Sequence, residues 1–362
     1  MIKLLIGGSP CTFWSIAQKN GRETEPEGLG WELFKNYLIA KEKFKPDFFL
    51  YENNKSAAQA IKDQIKKEFG VWDGTLLSED TGARYIEINS ALVSAQNRQR
   101  FYVHNCGEVE QPEDRGVLVK DILDSGCADK EKAYCLKHQA GNTRDYFKKH
   151  HTQVAFEPIR IGDVGSNAQA HRVYSCNGKS VTINAGGGGQ GGKTGLYLCP
   201  IPEELKGLAC DKGKIYEVKD KKIDVKFGTF DIDLPDGYYI IRKLSVKECC
   251  RLQTMPDDYC RAVSNQQAYK GLGNGWTAEV IIHILQGALK DIPKDEEIVV
   301  LSMYDGIGTG RYCLDKMGFT NIKYYAYEID KYAKQISMSN YPDIIQMGDA
   351  FGLRHPDWTI GY

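Results

Sequence analysis

The sequence lacks the features that mark membrane proteins and zinc-binding proteins. No apolar run approaches the roughly 20 residues that a helix needs to cross a bilayer. The eleven cysteines are odd in number and none form a Cys-x-x-Cys pair, so we expect reduced thiols and no metal site. The N-terminal segment has no signal-peptide pattern, which argues against secretion. These absences favour an intracellular globular protein.

A strong excess of positive charge is also absent, because the formal net charge is −1. Any nucleic-acid-binding surface must therefore be local. One candidate runs from Lys130 to Lys193, a segment that contains ten lysine and arginine residues but only four acidic residues. This excess is also compatible with an ordinary solvated lobe. Seven of the ten residues from 186 to 195 are glycine, which suits either close backbone approach to another surface or a flexible loop.

Two blocks of the chain alternate strand and helix patterns. Strands are predicted at 2–6, 47–51, 298–302 and 323–327, and helices at 32–44, 56–69, 311–316 and 330–339. This βαβ order predicts a parallel sheet with helices on both faces. The middle of the chain, roughly 106–240, has short alternating runs and many turns, which predict a small β-rich lobe.

A cysteine follows the first predicted strand directly. The segment Gly7-Gly8-Ser9-Pro10-Cys11 forms a tight turn there, and Glu52 closes the second predicted strand. A thiol can act as a nucleophile, and a carboxyl group as its proton-transfer partner. An isolated cysteine is usually inert, so this interpretation depends on the motifs that accompany it.

A glycine-rich loop, 304–310, lies between a predicted strand and a predicted helix. Glycines at such a position bring backbone N–H groups and a helix start close to a ligand. Glu328 closes the next strand, where a carboxylate can accept ribose hydroxyl groups. Asp349 closes what we predict to be a third strand. Together these positions predict a cofactor crevice at the carboxyl edge of one sheet.

With these motifs, the sequence resembles the cytosine-5 DNA methyltransferases over nearly its whole length. The family's Pro-Cys-Gln, Glu-Asn-Val and Gln-x-Arg-x-Arg motifs correspond to Pro10-Cys11-Thr12, Glu52-Asn53-Asn54 and Gln96-Asn97-Arg98-Gln99-Arg100. Residues 242–256 resemble the motif that closes the recognition lobe, and Gly273-Asn274-Gly275-Trp276 stands where the family has Gly-Asn-Ser-Val. Thr12, Asn54 and the pair Gly275-Trp276 depart from the family pattern.

The order of these motifs is unusual for the family. In the common arrangement the cofactor loop precedes the catalytic cysteine, whereas here the cysteine comes first. Joining Tyr362 to Met1 would restore the common order, with 290–295 as the bridging linker. The resemblance therefore implies a circular permutation, which is mild when the break lies in an exposed connection.

The resemblance implies an α/β fold. Its core would be a Rossmann-like, circularly permuted sheet typical of S-adenosylmethionine-dependent methyltransferases, with an inserted small β-rich target-recognition domain. Residues 1–105 would form the catalytic part of the methyltransferase domain. Residues 106–262 would form the recognition domain, and 263–362 the remainder with the cofactor motifs.

The resemblance also implies methylation of carbon 5 of cytosine in a specific double-stranded DNA sequence, by base flipping and covalent catalysis. Cys11 would attack carbon 6, Glu52 would hold a proton at ring nitrogen 3 or bond the amine, and Arg100 would bond the base carbonyl. Arg98 would favour the thiolate or hold the site, unless it is a surface residue. S-adenosylmethionine would contact Pro10, Asn274, Tyr304, Asp305, Gly306, Gly308, Thr309, Gly310, Glu328, Ile329, Asp349 and Ala350. DNA would contact Gln169, Arg172, Thr182, Gly188 and Gly189.

Two other functions stay open: a tRNA cytosine-5 methyltransferase and a catalytically silent DNA-binding homologue. The large glycine-rich lobe favours duplex DNA over tRNA as the substrate. The presence of Cys11, Glu52 and Arg100 argues against a catalytically silent homologue. Amino-group methyltransferases need an Asp/Asn-Pro-Pro-aromatic loop, which the sequence lacks. The resemblance implies a cytoplasmic monomer of bacterial or phage origin, with double-stranded DNA as partner and no membrane association. It leaves open a cognate restriction endonuclease.

Overall fold

The computed structural model describes most of the chain in several ranges. These ranges are 1–15, 21–71, 80–124, 160–163, 172–175, 196–200, 215–225, 228–231, 235–242 and 245–360. The chain divides into two compact units. Unit 1 comprises Met1–Asn89, Gln99–Pro112 and Gly275–Tyr362, and unit 2 comprises Ser90–Arg98 and Glu113–Asn274.

The described helices and strands follow the chain in this order. The helices are α1 Gly28–Phe44, α2 Gln59–Phe69, α3 Val119–Ile122, α4 Val246–Leu252, α5 Asn265–Asn274, α6 Ala278–Leu289, α7 Thr309–Lys316 and α8 Lys331–Asn340. The strands are β1 Ile2–Gly7, β2 Phe48–Asn54, β3 Arg84–Asn89, β4 Gln99–His104, β5 Arg160–Asp163, β6 Arg172–Ser175, β7 Leu196–Pro200, β8 Ile215–Lys219, β9 Lys222–Val225, β10 Gly228–Asp231, β11 Gly237–Arg242, β12 Ile298–Met303, β13 Ile322–Tyr327 and β14 Ile345–Gly348. Short 3-10 helices span Cys11–Phe13, Ser90–Leu92 and Ala350–Arg354.

Unit 1 is built on a seven-stranded sheet with the order β14-β13-β12-β1-β2-β4-β3. Strand β1 pairs in parallel with β12 on one side and β2 on the other, so that Leu4 lies between Val300 and Phe48. Strands β13 and β14 continue the parallel arrangement. All six residues of β12 are buried, as expected for a parallel strand covered on both faces. The five parallel strands therefore end at one edge of the sheet.

The strands and helices predicted for the two ends of the chain are present, with shifted boundaries. Two expectations are corrected. The sheet is not wholly parallel, because β4 runs antiparallel to both β2 and β3. Glu52 does not close its strand, because β2 continues to Asn54, which pairs with Arg100 of β4.

One face of this sheet carries an aromatic core beneath α1 and α2. Phe34 and Tyr37 of α1 are fully buried, and their rings meet Tyr51 of β2 edge-on with centroids 5.2 and 5.1 Å apart. Phe69 of α2 stacks on Phe49 at 5.2 Å. Such pairs contribute about 0.5–1.5 kcal/mol each beyond burial. This packing fixes the backbone of β2, which carries Glu52.

Unit 2 contains a second seven-stranded sheet, with the order β10-β9-β8-β11-β7-β6-β5. Its strands pair antiparallel except for β6 and β7, which are parallel. Helix α4 begins with a capping box, in which Ser245 and Glu248 each accept the other's backbone N–H.

No helix in the described ranges is long and apolar enough to cross a membrane. The same ranges hold no cluster of His, Cys, Asp and Glu suited to a metal ion.

Candidate active site

Cys11 lies in the 3-10 helix that directly follows β1, and it keeps part of its surface exposed. The backbone amides of Trp14 and Ser15 donate to the carbonyl oxygen of Cys11, at 3.1 and 2.9 Å. Trp14 is fully buried, and its indole N–H donates to Glu23 at 3.0 Å. An apolar anchor therefore holds the loop while the cysteine remains accessible.

The loop of residues 7–11, called the cysteine loop below, lies against β2 through a glycine and three polar side chains. A Cβ on Gly8 would overlap the backbone oxygen of Glu52 and lie 3.0 Å from its Oε2, so glycine permits this approach. Asn53 Nδ2 donates to the backbone oxygen of Ser9 at 2.9 Å. The hydroxyl groups of Ser9 and Tyr51 are 2.8 Å apart and buried. These contacts fix the loop beside the strand that carries Glu52.

Each oxygen of the Glu52 carboxylate contacts a different side chain, Oε1 through an ion pair and Oε2 through a hydrogen bond. Arg100 Nε lies 3.0 Å from Oε1, and the Trp276 indole nitrogen donates to Oε2 at 3.1 Å. Arg100 reaches Glu52 because it pairs with Asn54, two residues along β2 and on the same face. The Glu52 and Arg100 side chains are only 12% and 10% exposed. Losing either partner would therefore leave a poorly solvated charge.

The glycine-rich loop leads from β12 into α7. Tyr304, Gly306 and Gly308 all have a positive φ, of 57°, 64° and 80°. A Cβ on Gly306 would meet nothing within 4 Å, so the loop is open on that side. A Cβ on Gly310 would overlap the Ile6 side chain, so this glycine lets α7 pack closely on β1. The loop thus presents backbone and a helix start at the carboxyl edge of the sheet.

Glu328 directly follows β13 and holds this loop. Its Oε2 accepts the Gly306 amide at 2.8 Å, and its Oε1 accepts the amides of Ile329 and Asp330 at 2.8 and 2.7 Å. A carboxylate offers about four acceptor positions. Glu328 therefore retains acceptor capacity for a ligand hydroxyl, and the apolar Ile329 beside it is 72% exposed.

Asp349 follows β14 and is exposed. Its Oδ1 accepts the Phe351 amide at 2.9 Å and caps the 3-10 helix that begins at the buried Ala350. Because β13 and β14 are parallel neighbours, Asp349 and Glu328 lie at the same edge of the sheet as the glycine-rich loop.

Tyr304 and Asp305 of the loop make their hydrogen bonds within the protein. The Tyr304 hydroxyl donates to the backbone oxygen of Leu33 at 2.8 Å. Asp305 Oδ1 accepts from Ser302 Oγ and the Tyr324 hydroxyl, both at 2.7 Å. Asp305 Oδ2 is buried and has no hydrogen-bond partner. Burial raises the pKa of Asp305 to about 6, although the two hydroxyl bonds lower it.

Several of the other predicted site residues belong to unit 2. Arg98 is 3% exposed, so the surface alternative is wrong, and its Nη2 donates to the Gly273 carbonyl at 3.2 Å. Asn274 ends α5 and is exposed. Arg172 begins β6, where its backbone pairs with Asp163. Gln169, Thr182, Gly188 and Gly189 lie outside the described residues. The roles of all these residues stay predictions.

Sequence reasoning missed two contacts of this site. Trp276 stood out only as a departure from the family pattern, and no local pattern indicates its contact with Glu52, 224 positions away. The contact between Ser9 and Tyr51 gave no signal, because it depends on the register of β1 and β2.

Comparison with known sequences identifies the family. The sequence profile of the C-5 cytosine-specific DNA methylases matches residues 1–290. The chain belongs to this family. It is therefore a DNA cytosine-5 methyltransferase, as the resemblance predicted, and its mixed α/β sheet is consistent with the fold of S-adenosylmethionine-dependent methyltransferases.

Similar members of the family come from bacteria and phages. The type II methyltransferase M.HhaI of Haemophilus parahaemolyticus is 26% identical over 294 residues, covering 78% of this chain and 73% of that protein. M.FnuDI of Fusobacterium nucleatum is 24% identical, with 81% and 78% covered. The orphan methyltransferase M.SPBetaI of Bacillus phage SPbeta is 24% identical, with 71% and 69% covered.

Asp305 gives a testable pH dependence of stability. A folded-state pKa raised from 3.8 to about 6 means that the folded protein loses stability as the pH rises through this range. We expect Asp305→Asn, which keeps an acceptor for Ser302 and Tyr324, to remove this loss. The unfolding free energy of the variant relative to wild type should rise by up to about 3 kcal/mol between pH 4 and 7 in urea titrations. Parallel pH profiles of the two proteins would contradict the assignment.

Proposed function

We propose that the protein transfers a methyl group from S-adenosylmethionine to carbon 5 of cytosine within a specific sequence of double-stranded DNA. One observation carries the proposal: the cysteine loop lies against Glu52, which pairs with Arg100, at the same sheet edge as the glycine-rich loop. A nucleophile, a proton-transfer group and a cofactor loop are thus combined in unit 1. The type II names of the similar proteins support a sequence-specific reaction.

The sheet edge suits S-adenosylmethionine. The glycine-rich loop is open beside Gly306, Glu328 retains acceptor capacity, and Asp349 is exposed. The exposed Ile329 offers an apolar surface of the kind that a purine ring requires. We assign the cofactor to these residues together with Pro10, Tyr304, Asp305, Gly308, Thr309, Gly310, Ala350 and Asn274. When bound, S-adenosylmethionine supplies an electrophilic methyl group on a sulfonium.

The side chains of unit 1 activate the cytosine ring. Carbon 5 is a poor nucleophile until the Cys11 thiolate bonds to carbon 6. The displaced electron pair is drawn toward ring nitrogen 3, where Glu52 holds a proton, while Arg100 bonds the carbonyl oxygen. We assign Arg98, which belongs to unit 2, to holding the site. Loss of the carbon 5 proton later lets the thiolate leave, which restores the ring.

The base must leave the duplex for this chemistry, at a cost of a few kcal/mol in stacking and pairing. We assign DNA contacts to the basic segment between Lys130 and Lys193. Gln169 would fill the space of the flipped base, and Arg172 would read a guanine through two hydrogen bonds. Thr182 and the backbone at Gly188 and Gly189 would support the phosphates.

We also infer that the chain is circularly permuted relative to the common family order. Strand β1, which carries the cysteine loop, precedes β12 in the sequence but is its parallel neighbour in the sheet. The family match ends at residue 290, before β12 and the glycine-rich loop begin. This order supports a rearrangement of the chain relative to the common family order.

Cys11→Ser should abolish methyl transfer and leave duplex binding intact, because a serine hydroxyl lacks the nucleophilicity of a thiolate at neutral pH. The loss of activity is measured as transfer of labelled methyl groups to duplex DNA and to tRNA, with wild type and variant. Wild-type transfer to tRNA alone would establish the RNA alternative. Full activity of the variant on DNA would contradict the covalent mechanism.

The two cofactor carboxylates should respond differently to neutralisation. Asp349→Asn should weaken S-adenosylmethionine binding by about 1–3 kcal/mol. It should not lower the melting temperature, because asparagine is also a good capping residue for the 3-10 helix. Glu328→Gln should weaken binding and also lower the melting temperature, because a loop amide loses its acceptor. Calorimetry and thermal unfolding measure both effects. Unchanged affinity in both variants would place the cofactor elsewhere.

A further inference from the structure

We propose that Trp276 is a positioning residue, which orients the Glu52 carboxyl group for proton transfer to the target base. This inference rests on the proposed function. The indole nitrogen of Trp276 donates to Glu52 Oε2 at 3.1 Å, while Arg100 occupies Oε1 at 3.0 Å. All three residues belong to unit 1.

Contacts on both carboxylate oxygens fix the orientation of the carboxyl plane, which a contact on one oxygen alone does not fix. The terminal torsion of a glutamate is broad, so a carboxyl group held only by Arg100 could rotate about its last carbon–carbon bond. The hydrogen bond from Trp276 to the other oxygen sets the plane of the carboxyl group. The orientation of Glu52 toward ring nitrogen 3 is thereby fixed before the base enters.

The chemical character of the indole group suits this task. It is neutral and can only donate, so it adds no positive charge beside Glu52 and cannot accept a proton from it. A carboxyl group that must gain and lose a proton is therefore better oriented by a neutral donor.

The backbone of Trp276 is anchored by the helix that follows it. Thr277 is buried, and α6 begins at Ala278 with Val280 and Ile281 fully buried. The Cys313 thiol of α7 donates to the Ala278 carbonyl at 3.5 Å. The start of α6 is thus held against the helix of the glycine-rich loop, which keeps the indole at Glu52.

The test separates the hydrogen bond from the ring. Trp276→Phe removes the N–H group together with part of the ring. Site-specific incorporation of 3-benzothienylalanine at position 276 exchanges the N–H group for sulfur and keeps the shape of the ring. Trp358→Phe is the matched control, since its indole donates at 2.6 Å to the Tyr327 hydroxyl and not to Glu52. The first readout is tritium exchange from carbon 5 of the target cytosine without S-adenosylmethionine. This exchange reports addition of the thiolate and protonation of the ring alone.

We expect both Trp276 variants to slow exchange and kcat for methyl transfer by about 10- to 100-fold, as for a lost hydrogen bond to a charged group. The KM for DNA and the calorimetric Kd for S-adenosylmethionine should stay at wild-type values, and the control should match wild type throughout. Wild-type exchange by the benzothienylalanine variant would overturn the proposal, as would weakened cofactor binding with unchanged exchange. A wild-type enzyme that neither exchanges nor methylates would refute the proposed function itself.

Discussion

The parallel pairing of β1 with both β2 and β12 is the constraint on which the candidate site depends. Leu4, Leu5 and Ile6 of β1 are fully buried, so the strand cannot shift without exposing the centre of the sheet. Because parallel strands end at one edge, the cysteine loop, the glycine-rich loop and Glu328 are brought together there although they are far apart in sequence. Glycine at position 8 then lets the cysteine loop lie directly against Glu52.

Two carboxyl groups of unit 1 are held in contrasting surroundings. Glu52 faces a cation and an indole donor, and it keeps some solvent exposure. Asp305 accepts hydrogen bonds from two hydroxyl groups, and burial raises its pKa. The first environment suits a group that acts on a substrate, and the second holds the glycine-rich loop on the sheet. The two carboxyl groups therefore differ in their hydrogen-bond donors and in their burial.

Much of unit 1 could be predicted from the sequence. Apolar runs that alternate with amphipathic segments predict βαβ units. Motifs that directly follow parallel strands are predicted to lie together at the carboxyl edge of the sheet. The antiparallel partner of β2 could not be predicted, since no local pattern reveals that Arg100 pairs with Asn54. For the same reason Glu52 was expected at a strand end rather than inside β2. The hydrogen bond of Trp276 was also hidden, because it joins residues 224 positions apart.

Cys11 is the proposed nucleophile that attacks cytosine. Duplex DNA with 5-fluorocytosine at the target position traps such an enzyme, because the fluorine cannot leave as a proton does and the sulfur–carbon bond persists. Mass spectrometry of the digested complex then locates the modified residue. We predict an adduct on the peptide that contains Cys11, formed only when S-adenosylmethionine is added. An adduct on another cysteine, or none from a preparation that methylates ordinary duplex DNA, would contradict this account.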